Sequence, residues 1–297
     1  MAHITLLDGS IGQELVKRSG ETPTPLWSTR VMIDQPELVG AVHADYFARG
    51  ATIATTNTYA VHRSRLERVG IADQLPALID AAVSQAENAR RGSGGRIAGS
   101  LGPLLATYRP DLNPDPDDAA RKFKELVDLM ADRIDLFLIE TVSSVQEAEG
   151  VLRGTNGCGK PVWLALTVMD HDGTRLRSGE QVSDIAPLID RFAPDALLIN
   201  CARPEAIPAA LKILSNFDLP FGAYANGFTE ISEGFLKDAP TVDALQQRHD
   251  LGPDAYAEHA MGWVSQGATI VGGCCEVGPD HIETLARHLR DAGHRIV

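Results

Sequence analysis

The sequence predicts an α/β fold in which a single (β/α)8 barrel (TIM barrel) spans residues 1–297. Short apolar runs alternate with longer amphipathic segments eight times along the chain, which is the pattern of a parallel barrel. No shift in composition and no linker-like segment divides the chain. The alternative is an open doubly wound sheet, but no G-x-G-x-x-G motif follows the first apolar run. We therefore predict one barrel domain.

The first half of the chain supplies four strands and four helices. The strands are short apolar runs rich in aliphatic residues, as expected for strands buried on both faces. Helices are assigned where apolar residues recur every three or four positions, as between Leu75 and Val83, or where a proline such as Pro36 favours a first turn. A loop containing Pro23, Pro25 and Trp27 follows the first strand. The predicted strands are 4–7, 51–56, 97–101 and 136–140, and the predicted helices are 36–49, 71–91, 117–132 and 144–153.

The polar, proline-rich segment 110–118 lies in the first half, before the fourth strand. Its length indicates a loop over a functional site.

The second half repeats this alternation, and prolines stand at the first turn of several of its helices. The predicted strands are 162–168, 196–201, 220–224 and 269–271, and the predicted helices are 181–192, 204–216, 253–266 and 279–291.

Composition and charge exclude several classes of partner. The chain has 27 Lys and Arg against 40 Asp and Glu, a net charge of -13 that disfavours binding to nucleic acid. No apolar run approaches the ~20 residues that span a bilayer, and the N-terminus lacks the pattern of a signal peptide. Four cysteines in a chain of this length do not form a disulfide framework. We therefore expect a cytoplasmic protein that acts on small molecules, with no membrane partner.

Two glycines and two cysteines, residues 272–275, end the eighth predicted strand. Neighbouring side chains of a regular strand point to opposite faces, so adjacent cysteines could not reach one ligand there. Glycine permits backbone conformations that other residues avoid and often marks the close approach of a ligand. A disulfide between sequence neighbours would be strained, and a small buried hydrophobe is the usual role of a lone cysteine. The paired cysteines therefore favour a metal site that needs a third ligand.

Cys201 is the third ligand that the barrel brings near this pair. Barrel active sites lie at the carboxyl ends of the strands, and Cys201 ends the sixth predicted strand while Cys274 and Cys275 end the eighth. Only one strand separates them, and neighbouring strands lie ~4.8 Å apart. Cys158 precedes the fifth strand and is expected at the opposite rim. Other strand ends also carry polar residues, namely Asp8, Thr55, Thr56, Asn57, Glu140 and Asn226.

Three thiolates favour zinc, which binds sulfur at ~2.3 Å in a tetrahedral shell. With only three protein ligands the fourth position is open, as in catalytic sites. Three thiolates leave the dication with a net negative charge, so it would be a poor Lewis acid for a carbonyl group. A substrate thiol suits the open position, because binding lowers its pKa from ~8.5 and keeps it as thiolate. The residues therefore predict alkylation of a zinc-bound substrate sulfur rather than activation of water.

Several motifs are distributed over nearly the whole chain. They are residues 272–275 followed by Pro279-Asp280-His281-Ile282, Asn200-Cys201-x-x-Pro204, Asp8-Gly9, Leu26-Trp27-Ser28, His43-x-x-Tyr46-Phe47, Gly50-Ala51 and Glu140-Thr141. Together they resemble the homocysteine S-methyltransferase family. The resemblance implies a zinc-dependent barrel enzyme that methylates L-homocysteine to methionine, with Cys201, Cys274 and Cys275 as the zinc ligands.

The resemblance also implies where the substrates bind. Asp8 and Glu140 match acidic positions that can hold the ammonium group of the amino acid, because a buried ammonium needs carboxylate partners. Capping of the helices that follow is the alternative role for both. Asn200 and Asn226 either contact a ligand or tie loops together. The predicted substrate-binding residues are Asp8, Gly9, Trp27, Thr56, Tyr59, Glu140, Asn200 and Asn226.

The methyl donor needs a leaving group that departs neutral, which fits sulfonium and quaternary ammonium compounds. Aromatic faces hold such cations, and Trp27 and Tyr59, with Phe228 behind them, are candidates; ordinary packing is the alternative. The segments Leu-Trp-Ser and Thr-x-Thr-Tyr resemble the S-methylmethionine branch of the family more than the betaine branch. The betaine enzymes carry Tyr where this chain has Thr141, and several relatives carry Pro-Asn where it has Ala225-Asn226.

Two other classes of function remain open. A zinc barrel hydrolase would activate water, but such sites generally use histidine and carboxylate ligands, and only His62 and His171 fall near predicted rim positions. The other class is a non-catalytic thiol-binding or zinc-binding accessory subunit of a corrinoid methyl-transfer system. His281 is part of the resemblance but lies near the start of the last helix, where a structural role is expected.

Overall fold

A computed structural model describes residues 1–20, 26–232, 234–236 and 245–297. Pro23 and Pro25 of the predicted loop lie outside the described residues, whereas Trp27 directly precedes a helix. Within this part of the chain, parallel strands form one curled sheet in the order β2-β3-β4-β5-β6-β7-β8-β1-β9. The strands are β1 (His3–Leu6), β2 (Ile53–Thr55), β3 (Arg96–Leu101), β4 (Leu136–Val142), β5 (Val162–Leu166), β6 (Ala196–Asn200), β7 (Phe221–Tyr224), β8 (Ile270–Val271) and β9 (Arg295–Ile296).

The sheet closes into a barrel between β1 and β2. β1 pairs with β8 through Thr5–Ile270 and Leu6–Val271, and a parallel bridge joins Leu7 to Ile53 on the other side. The short β9 pairs with the first two residues of β1, below that bridge. The predicted (β/α)8 fold and its eight strands are therefore confirmed. β9 was not predicted, because a strand of two residues is too short to show an alternation of apolar and polar residues.

The eight predicted helices also appear, with ends within three residues once the 3-10 turns Ala72–Gln74 and Val182–Ile185 are included. Three further helices, α1, α2 and α4, are short or carry few apolar residues, so the sequence did not predict them. The helices are α1 (Ile11–Ser19), α2 (Ser28–Asp34), α3 (Pro36–Ala48), α4 (Arg63–Glu67), α5 (Leu75–Arg90), α6 (Pro116–Met130), α7 (Val145–Thr155), α8 (Ala186–Phe192), α9 (Ile207–Leu214), α10 (Pro253–Ser265) and α11 (Pro279–Asp291).

The predicted loop 110–118 is shorter than expected at its carboxyl end. Asp115 caps α6 by accepting a hydrogen bond from the Asp117 N–H at 2.9 Å, so the helix begins at Pro116. A 3-10 turn at Pro110–Leu112 gives the rest of the segment regular structure. Both changes reflect capping and turn chemistry that the proline-rich composition concealed.

The buried core has two layers. The larger layer lies between the sheet and the surrounding helices, and the smaller one fills the barrel interior. Cys274 packs on the interior layer, so that apolar residues form the floor beneath the cysteines. The interior residues are Leu7, Ile53, Ala98, Leu136, Leu138, Trp163, Ala165, Ala196, Leu198, Tyr224 and Ile270. No helix within the described ranges has both the length and the apolar character needed to cross a bilayer.

Candidate metal and substrate site

A cavity of about 640 Å³ opens at the carboxyl ends of the strands, within the size range of small-molecule sites. It lies above the apolar floor of the barrel and is bounded by the loops that follow β1, β2, β3, β6, β7 and β8. Asn200 and Asn226 are not among its lining residues. The sequence-predicted residues that line it are Asp8, Gly9, Trp27, Thr56, Tyr59, Glu140, Cys201, Cys274 and Cys275.

The three predicted cysteines meet at one side of this cavity. The Sγ atom of Cys274 lies 2.9 Å from that of Cys201 and 4.0 Å from that of Cys275. The remaining pair, Cys201 and Cys275, is 3.7 Å apart. All three are free thiols, and their sulfur atoms lie within 4.8 Å of one another. This cluster could hold a metal ion.

The spacing of the sulfur atoms fits a tetrahedral ion closely on two of its three edges. Metal–sulfur bonds of ~2.3 Å at tetrahedral angles place the sulfur atoms ~3.8 Å apart. The 3.7 and 4.0 Å distances match that edge. The 2.9 Å distance between Cys201 and Cys274 would widen by about 0.9 Å, a shift that side-chain rotation can supply. The donor set and its geometry therefore suit zinc better than a hard cation.

Close packing, rather than an unusual backbone conformation, explains the glycines before the paired cysteines. Neither Gly272 nor Gly273 has a positive φ. A Cβ on Gly272 would lie 2.5 Å from the Cβ of Leu7, and one on Gly273 would lie 2.2 Å from a methyl group of Val277. The glycines therefore let the strand end approach β1, whereas the sequence suggested close approach of a ligand.

The unusual backbone conformations near the cluster occur at residues other than these glycines. Cys201 has φ +50 and Glu276, directly after the pair, has φ +62, both in the left-handed region that favours glycine. Hydrogen bonds hold this loop: the Cys274 N–H donates to Ala225 O at 2.9 Å, and the Gly227 N–H donates to Cys275 O at 2.8 Å. Strained backbone that the surroundings hold in place is common at functional sites.

The protons of the cluster are unevenly shared. The pKa of Cys201 lies well below its usual range, because the thiols of Cys274 and Cys275 donate hydrogen bonds to its sulfur. The same interaction with Cys201 raises the pKa of Cys274. The metal-free cluster therefore favours one thiolate, and a metal ion must displace the remaining protons, so its binding strengthens as pH rises.

Asp8 and Glu140 are buried carboxyl groups on the cavity wall. Asp8 accepts hydrogen bonds from the Thr55 N–H at 2.6 Å and the Thr55 hydroxyl at 2.7 Å. Glu140 accepts from the hydroxyl groups of Ser100 and, at 3.0 Å, Tyr224. Burial raises the pKa of Asp8 to about 8 and that of Glu140 to about 7. Neither forms an ion pair within the described part of the chain, so a cation entering the cavity would find two carboxyl groups to receive it.

The remaining polar residues predicted to bind substrate have contacts within the protein. The Asn200 amide exchanges two hydrogen bonds with Thr141, at 2.8 and 3.0 Å, and so ties β6 to the end of β4. Asn226 accepts from the Phe228 N–H at 3.2 Å, while its Nδ2 is buried with no hydrogen-bond partner. The Thr56 hydroxyl bonds Thr58 and the Ser100 N–H. For Asn200 these contacts favour the loop-tying role over ligand contact.

Gly9 makes room for a neighbouring loop. A Cβ at this position would lie 2.1 Å from Val277 O, so no other residue fits beside the loop that carries the paired cysteines. Gly9 would therefore affect substrate binding indirectly, by letting Asp8 pack against the loop that carries Cys274 and Cys275. The Gly273 N–H donates to Asp8 O at 3.0 Å, which joins the two elements directly.

Several aromatic rings, which we call the aromatic wall, also line the cavity. Trp27 and Tyr59 pack edge to face with ring centroids 6.3 Å apart, and Phe228 also lines the cavity. Two rings that the sequence did not single out, Tyr108 and Phe235, are packed 5.9 Å apart and line it as well. The Tyr108 hydroxyl donates to Cys201 O at 3.2 Å, so this ring connects the aromatic wall to the cysteine cluster.

Tyr256 on α10 supports the cluster from behind and was also missed from the sequence. Its hydroxyl donates to Gly272 O at 2.6 Å and accepts from the Ala225 N–H at 3.0 Å. It therefore fixes the ends of β7 and β8 to each other next to Cys274. A tyrosine on the apolar face of a helix is predicted to be a core residue. The sequence pattern does not show where its hydroxyl group points.

Comparisons with known proteins identify the family of this chain. A sequence model of the family described as homocysteine S-methyltransferase matches residues 5–289. The chain belongs to the homocysteine S-methyltransferase family. A homocysteine S-methyltransferase of Escherichia coli is 29% identical over 95% of this chain and 94% of its own length. The homocysteine S-methyltransferase YbgG of Bacillus subtilis is 26% identical over 97% of this chain and 95% of its own length.

A solved structure of the family has the same fold. The homocysteine methyltransferase MmuM from Escherichia coli, in a metallated form, superposes with a TM-score of 0.81. It is 27% identical and covers 96% of each chain. The resemblance seen in the sequence is therefore confirmed as family membership.

Cys158 and His281 lie outside the cluster and make contacts within the protein. Cys158 lies in the turn before β5, with its thiol 3.5 Å from Lys160 O, and is not part of the cysteine cluster. His281 accepts from the Gly278 N–H and contacts Leu251 O at the start of α11, as a structural residue would. Of the two histidines predicted near the rim, His62 is buried and bonds Tyr59 O, and His171 lies 3.8 Å from Glu230.

Proposed function

We propose that this chain is a zinc-dependent methyltransferase that moves a methyl group from a sulfonium or quaternary ammonium donor to L-homocysteine, giving methionine. The observation that carries the proposal is the cluster of three sulfur atoms within 4.8 Å at the edge of a cavity that also presents two buried carboxyl groups. Family membership supports homocysteine as one substrate.

Cys201, Cys274 and Cys275 would hold the zinc ion. When bound there, zinc would lower the pKa of a substrate thiol and keep it as a thiolate near neutral pH. With three protein ligands, a zinc ion held there would keep one coordination position for a substrate sulfur that enters the cavity lined by the cysteines.

Asp8 and Glu140 would bind and orient the ammonium group of homocysteine. Each carboxylate already accepts two hydrogen bonds from the protein, which fixes its position before substrate arrives. The ammonium would replace the protons that burial keeps on these groups, because a nearby cation favours their charged form. Homocysteine would then extend from the carboxylates to the cysteine cluster, with its sulfur at the proposed zinc site.

The methyl transfer itself is a displacement at carbon. A lone pair of the homocysteine sulfur forms a bond to the methyl carbon, and the bond between that carbon and the donor heteroatom breaks. The bonding pair returns to the donor, so a sulfonium leaves as a neutral thioether and a quaternary ammonium as a neutral amine. Trp27, Tyr59, Tyr108 and Phe228 would bind the donor cation and keep water from the reacting atoms.

A donor panel tests this function directly. Purified protein loaded with zinc is incubated with homocysteine and S-methylmethionine, S-adenosylmethionine, betaine or a dimethylsulfonio compound, and methionine is measured together with bound zinc. We expect about one zinc per chain and methionine from at least one donor. Zinc binding without methionine from any donor would instead favour the accessory-subunit class. Hydrolysis of an ester or amide in place of methyl transfer would favour the hydrolase class, although no histidine or carboxylate joins the cluster in the described residues.

Tyr256→Phe should weaken zinc binding while leaving the three cysteines in place. The variant loses the hydroxyl that joins Ala225 to Gly272, so the loop bearing Cys274 is no longer held. Loss of an outer support of this kind costs about 10- to 100-fold in metal affinity. Zinc affinity is measured by competition with a chelator. Thr155→Val removes another buried hydroxyl, on α7 and remote from the cluster, and should destabilise the fold without changing zinc affinity. Equal zinc affinity in wild type and Tyr256→Phe would contradict the supporting role.

A further inference from the structure

The cavity holds a positively charged side chain that neither the cysteines nor the carboxyl groups explain. Arg65, on the short helix α4, lines it together with Tyr59. Its Nη2 donates to Pro103 O at 2.9 Å, which ties α4 to the loop after β3. Its Nε is buried and has no hydrogen-bond partner. One backbone oxygen therefore uses only part of a guanidinium that carries five N–H donors.

No carboxylate among the described residues forms an ion pair with Arg65. Its neighbour on the same helix, Arg63, pairs with Glu125, whereas the guanidinium of Arg65 lies over the Tyr59 ring, with Cζ 6.0 Å from the centroid. Burial lowers the pKa of Arg65 below its usual value. The charge of Glu147 favours the protonated guanidinium but forms no ion pair with it. An anion entering the cavity would offset the remaining cost of withdrawing the cation from water.

Tyr59 links Arg65 to the aromatic residues that are proposed to bind the donor. The Tyr59 hydroxyl bonds Thr107 Oγ1 at 2.9 Å, and its ring packs on Trp27, the proposed cation-binding wall. Tyr59, Arg65 and the three clustered cysteines all line the same cavity. One tyrosine therefore contacts both the guanidinium of Arg65 and the ring of Trp27.

We propose that Arg65 binds a carboxylate carried by the methyl donor, and so selects zwitterionic donors over simple cations. This inference rests on the proposed function and adds the class of donor: a sulfonium or quaternary ammonium whose charge lies on the aromatic wall and whose carboxylate reaches Arg65. A guanidinium pairs well with a carboxylate because its N–H groups match the two oxygen atoms. Asp8 and Glu140, which have the opposite charge, remain for the ammonium of homocysteine.

A binding experiment tests the inference without requiring turnover. Calorimetric titration of the zinc-loaded protein compares dimethylsulfoniopropionate, which carries a carboxylate, with trimethylsulfonium, which does not. We expect Arg65→Met to weaken dimethylsulfoniopropionate binding at least about tenfold and to change trimethylsulfonium binding little, since a hydrogen bond to a charged group contributes this much. Arg65→Lys should retain part of the preference, because it keeps the charge and loses the fork of donors.

Arg63→Met is the matched control, because it removes a guanidinium from the same helix that pairs with Glu125 instead of lining the cavity. It should bind both compounds as the wild type does. Equal weakening of both compounds in Arg65→Met would assign Arg65 to the structure of the wall and overturn the proposal. So would a selective loss of homocysteine affinity, which would assign Arg65 to the other substrate. Absence of methionine formation by the wild type would overturn the proposed function, while the binding comparison would still decide the role of Arg65.

Discussion

Cys274→Ala is expected to abolish both zinc binding and methyl transfer. The sulfur of Cys274 is the nearest neighbour of Cys201 and lies within 4.0 Å of Cys275, so its removal leaves two ligands for the ion. Changes in the outer support of a metal alone cost about 10- to 100-fold, and loss of a direct ligand should exceed this. We expect bound zinc to fall from about one per chain to near zero, and activity to fall by more than about 100-fold. Zinc content and initial rates on the same preparation check both.

Cys201→Ala and Cys275→Ala should give the same result, because each supplies one corner of the same cluster. Cys158→Ala is the matched control: its thiol lies at the turn before β5, and it should keep zinc and activity. The metal-free variants should stay folded, since the cluster sits on top of the interior core rather than within it. Thermal unfolding with a chelator present separates loss of metal from loss of fold. Full activity of Cys274→Ala with stoichiometric zinc would exclude the cluster as the metal site.

The cysteine cluster could be predicted from the sequence because strand ends are simple to locate. Cys201 and Cys274 each follow a short apolar run, and the barrel topology places all such ends on one rim. The conformation that makes the cluster work could not be predicted. Cys201 has a left-handed backbone conformation, which a sequence pattern predicts only where glycine occurs. Gly272 is required for close packing against Leu7, not for a positive φ.

Residues that act through helices and loops escaped the sequence for a different reason. Tyr256 and Arg65 lie on helices, where apolar periodicity shows which face is buried but not where a terminal hydroxyl or guanidinium points. Tyr108 lies in a loop, whose path depends on the elements around it. The sequence therefore predicts the ligands on the strands, whereas the side chains that support them and select a donor emerge only from tertiary packing.

Glu140→Gln should raise the KM for homocysteine by about 100-fold. The substitution keeps the size of the side chain and an oxygen that can accept from Tyr224, but removes a buried negative charge from the cavity wall. Truncating one partner of a buried, hydrogen-bonded charge pair costs about 2–5 kcal/mol, and about 3 kcal/mol corresponds to this factor. Asp8→Asn should act in the same direction. Steady-state kinetics with homocysteine varied at saturating donor measure the effect.

The pH dependence of KM tests the same assignment. Burial raises the pKa of Glu140 to about 7 and that of Asp8 to about 8, so both groups are partly protonated near neutral pH. An ammonium binds only to their ionised forms, so KM for homocysteine should fall as pH rises through about 7 and 8. Glu140→Gln should shift the remaining dependence to lower pH, because Glu140 helps to raise the pKa of Asp8.

Stability should change with pH in the opposite sense. The folded protein without substrate keeps a proton on Glu140 that the unfolded chain releases above about pH 4.5. The free energy of unfolding should therefore decline between about pH 4.5 and pH 7, and this part of the decline should be absent in Glu140→Gln. Urea unfolding across that range measures it.

Glu147→Gln separates the role of charge in the cavity from the role of a buried carboxyl group in general. Glu147 is also buried with a raised pKa, but it accepts hydrogen bonds from Ser143, both at 2.7 Å, and does not line the cavity. Its substitution should alter stability and leave the KM for homocysteine unchanged. If Glu140→Gln also left KM unchanged, the ammonium would have to bind elsewhere, and the raised pKa of Glu140 would be a consequence of burial alone.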